Sequence, residues 1–490
     1  MIFRDWLKEL DYTLLQGSVD VETEDVIYDS RKAAPGKVFV AMKGIRVDGH
    51  SFIPQVLKAG VRVLVTERPV EEELKNSGLS EEELKQVTVV MVEEGRHALA
   101  LLSAARFDHP AKKLVMIGVT GTKGKTTTTH MIRAILLAAG KKVGMIGTTG
   151  TVIGDVVTPT LNTTPESYEL HQAFAQMVEA GCEYAVMEVS SQGIKMHRTD
   201  GLYFNYAIFT NISPDHIGPG EHADFEEYLY YKTRLLNMCG IGLVNKDDKH
   251  APQIIKAANC ELYTYSEESK EADFVASDIR YVSQPDFVGT EFHISGKYDM
   301  EVRLGIPGLF NVVNALAAVS VCSFLGLDQA RISHALENIR VNGRMEIVYT
   351  SERCTVLVDY AHNAVSMESL LSTLRDYKPK RLVCVFGCGG NRSKDRRYSM
   401  GEIGGKMADL SIITADNSRY EKVEDIIADI RGSIEKTGGK FIEIPDRREA
   451  IRYSILHAQP GDMVAVIGKG HEDYQEINGV RHHFLDREVV

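Results

Sequence analysis

Cysteine is scarce in this chain: seven among 490 residues, odd in number and scattered. Only Cys384 and Cys388 lie close together, and no second pair stands at metal-ligand spacing. That excludes a disulfide framework or a zinc ribbon; reduced, buried thiols in a cytoplasmic protein are expected. Long apolar runs are also missing. No stretch is long enough to span a bilayer, and residues 1–10 carry charges among their apolar positions, so they read as a helix and not a signal peptide. No membrane partner is expected. Basic residues are outnumbered, 56 Lys and Arg against 68 Asp and Glu for a net charge of −12, which argues against nucleic acid as the main partner. Repeats, heptads and low-complexity tracts are absent. What is present, 44% hydrophobic and 25% charged residues, is ordinary for a globular protein, and the length predicts about three domains.

The most informative stretch is 114–127, an apolar β-branched run ending in Gly121-Thr122-Lys123-Gly124-Lys125-Thr126-Thr127. Glycines let the backbone turn its N–H groups toward a phosphate. Lys125 can reach the β/γ-phosphates, Thr126 can ligate Mg²⁺, and the helix expected over 126–139 directs its positive end at the same anion. The strict P-loop pattern wants a glycine at 119, where valine stands; Gly118 is one residue early. The motif points to a nucleoside triphosphate without naming the reaction.

Strand and helix signals divide the chain into 1–110, 111–343 and 344–490. The first unit has candidate strands at 38–42, 61–66 and 87–92, with a solvated helical segment at 71–85. The second alternates strands at 114–119, 184–189, 206–210 and 242–245 with helices at 126–139, 167–180 and 312–325. The third has strands at 355–358, 381–386, 410–414 and 463–467. This alternation predicts an α/β protein with mostly parallel sheets and helices on both faces, whose ligands gather at the carboxyl ends of the strands.

Chemistry-bearing residues fall at those ends. Glu188 can hold Mg²⁺ or cap a helix. His197-Arg198 and Asp215-His216 follow consecutive strands and form one candidate polar site. Lys232, in an aromatic-rich helix, is either an exposed lysine or a desolvated one with a lowered pKa. In the last unit, Gly387–Arg392 can admit an anion held by Arg392. Asp416-Asn417-Ser418-Arg419 pairs an acid with a base, as suits a ligand bearing both ammonium and carboxylate, though an Asx turn is the simpler reading. Gly468-Lys469-Gly470-His471-Glu472 is a third such turn.

Taken in order, these motifs resemble the Mur ligases, the ATP-dependent amide-forming enzymes of peptidoglycan synthesis, over essentially the whole chain. The resemblance implies an N-terminal UDP-binding α/β domain, a central P-loop domain and a C-terminal Rossmann-like domain. It also explains the spacing, since the family loop reads Gly-Thr-x-Gly-Lys-Thr-Thr. By resemblance, Ser30, Gly49 and His50 contact UDP. Asn162, Thr163, Thr164, Ser190 and Arg198 hold the sugar-peptide, although Met196 replaces a family Gln. Gly121 to Thr127, Asn311, Asn314, Arg344 and Asp359 serve ATP. Thr126, Glu188 and a carbamylated Lys232 hold Mg²⁺, Lys125 and Lys232 act in catalysis, and His216 orients water or substrate. Arg392, Asp416, Asn417, Ser418, Arg419, Gly468 and Glu472 bind the incoming amino acid.

The implied partners are ATP, UDP-N-acetylmuramoyl-L-alanyl-D-glutamate and meso-diaminopimelate, with a cytoplasmic monomer expected. Diaminopimelate-adding members carry Asp-Asn-Pro-Arg, whose arginine clamps the distal carboxylate. Here Arg419 is kept and Ser418 replaces the proline. Lysine addition is the alternative. Folylpolyglutamate synthase is less favoured because it lacks the first domain, and a P-loop switch needs no amino-acid clamp.

Overall fold

In the computed structural model, residues 1–44, 47–218, 220–284 and 287–490 are described. They form two compact units, Met1–Tyr265 and Ser266–Val490.

In the first unit, short β-branched runs build a five-stranded sheet from β1 (Thr13–Gln16), β2 (Asp25–Ile27), β3 (Lys37–Val40), β4 (Val63–Thr66) and β5 (Thr88–Met91) in the order β1-β5-β4-β3-β2, all parallel but β1. Strand alternation sends Val38 and Val40 to one face, where they pack with Phe3, the single tryptophan Trp6 and Leu99. Phe39 goes to the other, with Leu57 and Val89. Both faces are buried, which is why these strands read as continuous hydrophobic runs.

The same unit continues with β6 (Val115–Thr120), β7 (Val143–Gly147), β8 (Gly150–Ile153), β9 (Val156–Thr158), β10 (Tyr184–Glu188), β11 (Phe204–Phe209), β12 (Cys239–Asn245) and β13 (Glu261–Ser266). Their order is β13-β12-β11-β6-β10-β7-β8-β9, parallel from β13 to β7 and antiparallel in the β7-β8-β9 meander. The chain leaves β6 in one direction and returns to its other side, so β6 lies at the switch point where open α/β sheets form their crevice. Helix Lys125–Ala138 follows β6 and helix Ser167–Glu179 precedes β10. Phe174, Phe204, Phe209 and Leu235 are fully buried in this core, each contributing about 1.5–3 kcal/mol. Gly118 has a packing reason: a Cβ there would lie 2.9 Å from the Phe204 ring.

In the second unit, β14 (Phe274–Gln284), β15 (Phe287–Gly296) and β16 (Met300–Leu304) pair antiparallel, a departure from the expected mostly parallel pattern. Helix Leu309–Phe324 follows. Then β17 (Glu346–Thr350), β18 (Cys354–Asp359), β19 (Arg381–Phe386), β20 (Leu410–Ile413), β21 (Phe441–Glu443) and β22 (Asp462–Ile467) form a sheet ordered β17-β18-β22-β19-β20-β21, parallel except for β17. A hairpin of β23 (Tyr474–Ile477) and β24 (Val480–His483) completes the strands. The carboxyl ends of β18, β22, β19 and β20 lie side by side, and the candidate motifs are attached there.

Candidate active site

The loop after β6 needs its glycines. Gly121 has φ +142°, and a Cβ on it would sit 1.9 Å from Thr210 Oγ1. Gly124, at φ +89°, caps the helix start. The end of β11 clips the loop in place: Thr122 N–H donates to Asn211 O (2.8 Å), Lys123 N–H to Asn211 Oδ1 (2.9 Å), and Asn211 Nδ2 and Thr210 Oγ1 donate to Lys123 O (3.0 and 2.6 Å). Lys125 folds over the loop, donating to Gly121 O (2.9 Å) and Thr122 O (3.2 Å).

Parallel register sets Glu188 of β10 beside Val119 of β6. Its carboxylate, 1% exposed, accepts from the Thr126 hydroxyl, which lies 3.0 Å from both oxygens, and from Thr148 N–H (2.9 Å). It forms no ion pair among the described residues, and a buried carboxylate without a cation costs several kcal/mol. A hard divalent ion would offset that cost, and the donors present, a hydroxyl and a carboxylate, are the oxygen ligands Mg²⁺ prefers. The residues therefore fit the ion. Gly147 makes room for them, since a Cβ there would come within 2.3 Å of Glu188 Oε1.

Lys232, 2% exposed, donates to Gly121 O at 2.7 Å and lies 4.8 Å from the Tyr228 ring centre. Burial, reinforced by Lys125, holds its pKa well below the usual lysine value. Of the two readings open in sequence, the desolvated one is observed. Tyr228, unremarked in sequence, shares a hydrogen bond with Thr122 (3.0 Å). His216 is exposed, at φ +53°, bound to Glu221 (3.1 Å) with its ring 6.2 Å from that of Tyr228.

Around β10, Thr164 Oγ1 donates to Glu188 O (3.0 Å) and accepts from Ser190 N–H (2.9 Å), while Ser190 caps the next helical turn. Arg198 donates to Thr164 O (3.0 Å) and pairs with Glu166 (2.6 Å). Thr163 shares a 3.2 Å bond with Thr148, and Asn162 is exposed. Ser30 follows β2 and Gly49 and His50 follow β3, at neighbouring carboxyl ends. His50 is turned inward: Nδ1 meets Asp48 (2.6 Å) and Nε2 accepts from Glu67 N–H (3.0 Å).

In the second unit, Arg392 and Arg419 converge on Gly389. A Cβ there would lie 3.3 Å from Arg419 Nη1 and 3.9 Å from Arg392 Cγ. Arg419, at φ +52°, donates to Gly390 O (2.7 Å) and stands 3.6 Å from Glu476. Asp416 accepts from Asn417 N–H (2.6 Å), a bond to the adjacent residue and not the i to i+2 bond of an Asx turn, and Gly468 keeps clear of it, with a Cβ position 2.7 Å from Asp416 Oδ2. Asn417 Nδ2 donates to Glu472 (2.9 Å), while Asn417 Oδ1 accepts from Glu476 N–H (2.9 Å). Ser418 is buried, and its carbonyl allows only glycine at 390.

Two buried cations join this cluster, Lys469 from the third turn and Arg447 from outside the motifs. Lys469, 0% exposed, bonds Tyr474 O and reaches Asn417 Oδ1 (3.4 Å) and Glu472 (3.5 Å). Arg447, also 0% exposed, pairs with Asp486 and donates to Ala415 O (3.2 Å) and Ile467 O (3.0 Å), tying together the ends of β20 and β22.

Nearby, Arg344 lies over the Tyr360 ring (4.9 Å), and Tyr360 Oη donates to Glu472 (3.3 Å). Asp359 accepts from Met345 and Ala361 N–H (both 2.7 Å), and burial raises its pKa. Asn311 and Asn314 pair (3.2 Å) at the start of helix Leu309–Phe324.

One unit thus carries the glycine-rich loop beside the buried Glu188 carboxylate, and the other carries the turns bearing Arg392 and Arg419. Three family models match the chain in order: the Mur ligase family catalytic domain at residues 23–107, the Mur ligase middle domain at 119–322, and the Mur ligase glutamate ligase domain at 343–470. The chain belongs to the Mur ligase family.

Among its relatives are two proteins named UDP-N-acetylmuramoyl-L-alanyl-D-glutamate–2,6-diaminopimelate ligase. That of Caldanaerobacter subterraneus subsp. tengcongensis is 39% identical, covering 99% of this chain and 97% of its own. That of Clostridium perfringens is 37% identical, covering 100% and 99%. A solved structure of a ligase with that name matches with a TM-score of 0.72 at 30% identity, over 95% of this chain and 93% of the other.

Proposed function

We propose that this chain is the ATP-dependent ligase that joins meso-2,6-diaminopimelate to the D-glutamate γ-carboxylate of UDP-N-acetylmuramoyl-L-alanyl-D-glutamate, acting as a cytoplasmic monomer in peptidoglycan precursor synthesis. The observation that carries the reading is the meeting of Arg392 and Arg419 over Gly389. Arg419 presents its guanidinium at this glycine and the Arg392 stem passes it at Cγ; a guanidinium there suits a distal carboxylate, which diaminopimelate has and lysine lacks. Residues 1–110, 111–343 and 344–490 are taken as the UDP-substrate, ATP and amino-acid domains.

The reaction runs in two steps. The γ-phosphoryl of ATP passes to the D-glutamate carboxylate, giving an acyl phosphate and ADP. The amine of diaminopimelate then attacks the carbonyl, and the tetrahedral adduct collapses with loss of phosphate. The N–H groups of Gly121 to Thr127 cradle the phosphates, and Lys125 leaves Gly121 O to neutralise charge on the transferred group. Thr126, Glu188 and the carbamate of Lys232 would hold Mg²⁺, which supplies charge neutralisation at the phosphoryl oxygens. A neutral Lys232 amine is the form that adds CO₂, and its burial favours that form. Ser30, Gly49, His50, Asn162, Thr163, Thr164, Ser190 and Arg198 serve the UDP-sugar-peptide. Asn311, Asn314, Arg344 and Asp359 serve the nucleotide, and His216 orients water or substrate. Asp416, Asn417, Ser418, Gly468 and Glu472 receive the ammonium and carboxylate of the amino acid.

The test is a product assay with the UDP-muramoyl dipeptide, ATP, and equal diaminopimelate and lysine in competition. The diaminopimelate adduct should dominate. A lysine adduct, or ATP turnover indifferent to both amino acids, would overturn the proposal.

A further inference from the structure

We propose that His97, His197 and Asp200 form a binding site for one divalent transition ion of the zinc class, separate from the phosphate loop. His97 projects from helix Gly95–Arg106, which packs on the first sheet. His197 and Asp200 lie in the turn after the short helix Ser191–Lys195 that follows β10. Both imidazoles use Nδ1 toward the same oxygen, Asp200 Oδ2, at 2.6 and 2.8 Å, and the three ligand atoms lie within 4.8 Å of one another.

The donor set is two nitrogens and one carboxylate oxygen. Imidazole selects zinc-class ions and disfavours Mg²⁺, whose preferred ligands are oxygens. Tetrahedral coordination at about 2.0–2.1 Å separates ligand atoms by a little over 3 Å. Small side-chain rotations that part the two hydrogen bonds would reach this, with the ring protons moving to Nε2. The groups are half-buried, with side-chain exposures of 43%, 39% and 24%, so an ion can enter and a water can take the fourth position. His197 holds a left-handed backbone at φ +56°, a conformation uncommon outside glycine. The neighbouring charges, Glu94 and Arg96, are of opposite sign. Arg198 lies between the two ligands of the turn, so an ion here would clamp the segment bearing Arg198 to the helix bearing His97.

The test titrates the chelator-stripped, full-length protein with Co²⁺ in excess Mg²⁺, reading visible d–d absorption, and then displaces Co²⁺ with Zn²⁺ while following thermal unfolding. One equivalent of a strongly absorbing tetrahedral Co²⁺ site is expected, with a higher Zn²⁺-loaded midpoint. His97→Ala and Asp200→Asn should each lose the band and weaken Zn²⁺ binding by more than about 100-fold, beyond the loss typical of an outer-shell partner. His97→Gln serves if His97→Ala does not fold. No stoichiometric band in the parent protein, or a band that survives these substitutions, would overturn the site.

Discussion

Lys125 and Lys232 donate to one and the same carbonyl, Gly121 O, at 2.9 and 2.7 Å. Two ammonium groups on one oxygen repel, and in the buried position the proton is the cheaper thing to lose. Burial, with Lys125 as the lesser cause, holds the pKa of Lys232 well below the usual lysine value.

Replacing Lys232 by alanine should leave the enzyme nearly inactive, with partial rescue by added short carboxylates that stand in for a carbamate. The carbamate should appear as a bicarbonate-dependent ¹³C signal lost in the variant. Full activity of Lys232→Ala would refute the role. Lys125→Ala should lose turnover while binding of the UDP-substrate, followed by calorimetry, is kept.

At the other end of the reaction, Arg419→Ala should raise the diaminopimelate KM and leave that of the UDP-substrate alone. Loss of a charged hydrogen bond corresponds to about 1.5–3 kcal/mol, or roughly 10- to 150-fold. Gly389→Ala should act the same way, because its methyl would press on the Arg419 guanidinium. Unchanged diaminopimelate kinetics in both variants would remove the clamp.

Lys469→Met tests a positioning role. Its ammonium faces Asn417 Oδ1 and Glu472, so its loss should free both groups and raise the diaminopimelate KM roughly tenfold, about 1.4 kcal/mol. An equal fall in kcat for every substrate, with a lowered unfolding midpoint, would mark a purely structural lysine instead.

Stability should depend on pH through His171, 1% exposed in helix Ser167–Glu179 with neither ring nitrogen hydrogen-bonded among the described residues. Burial lowers its pKa from 6.5 to about 3. Below pH 6.5 the unfolded chain takes up a proton that the fold refuses, so stability falls as pH drops. At pH 5 the loss is about 2 kcal/mol. His171→Leu should therefore gain stability relative to the parent as pH goes from about 8 to about 5, measured by urea unfolding at each pH. A difference that does not vary with pH would contradict this.

Much of the architecture is legible in the sequence. The strands at β6, β10, β11, β19 and β22 announce themselves as apolar β-branched runs because both sheet faces are covered, and their boundaries fall within about two residues of expectation. The antiparallel β14–β16 were not foreseen. Their burial alternates weakly, with polar Asp278, Arg280 and Gln284 in the run, and only pairing with a neighbour makes such a sequence a strand.

The phosphate loop, Glu188 and the turns bearing Arg392, Arg419 and Glu472 were visible because each depends on local spacing at a strand end. The sequence by itself determined that loop, the order of the motifs and the family to which they belong. Only the tertiary structure decided which way the side chains face. It sent His50 inward to Asp48 and the Glu67 backbone, buried Lys232, Lys469 and Arg447, brought Arg392 and Arg419 to one glycine, and set His97 against His197 across about a hundred residues of chain. Burial and charge pairing are sums over distant neighbours, and no local pattern encodes them.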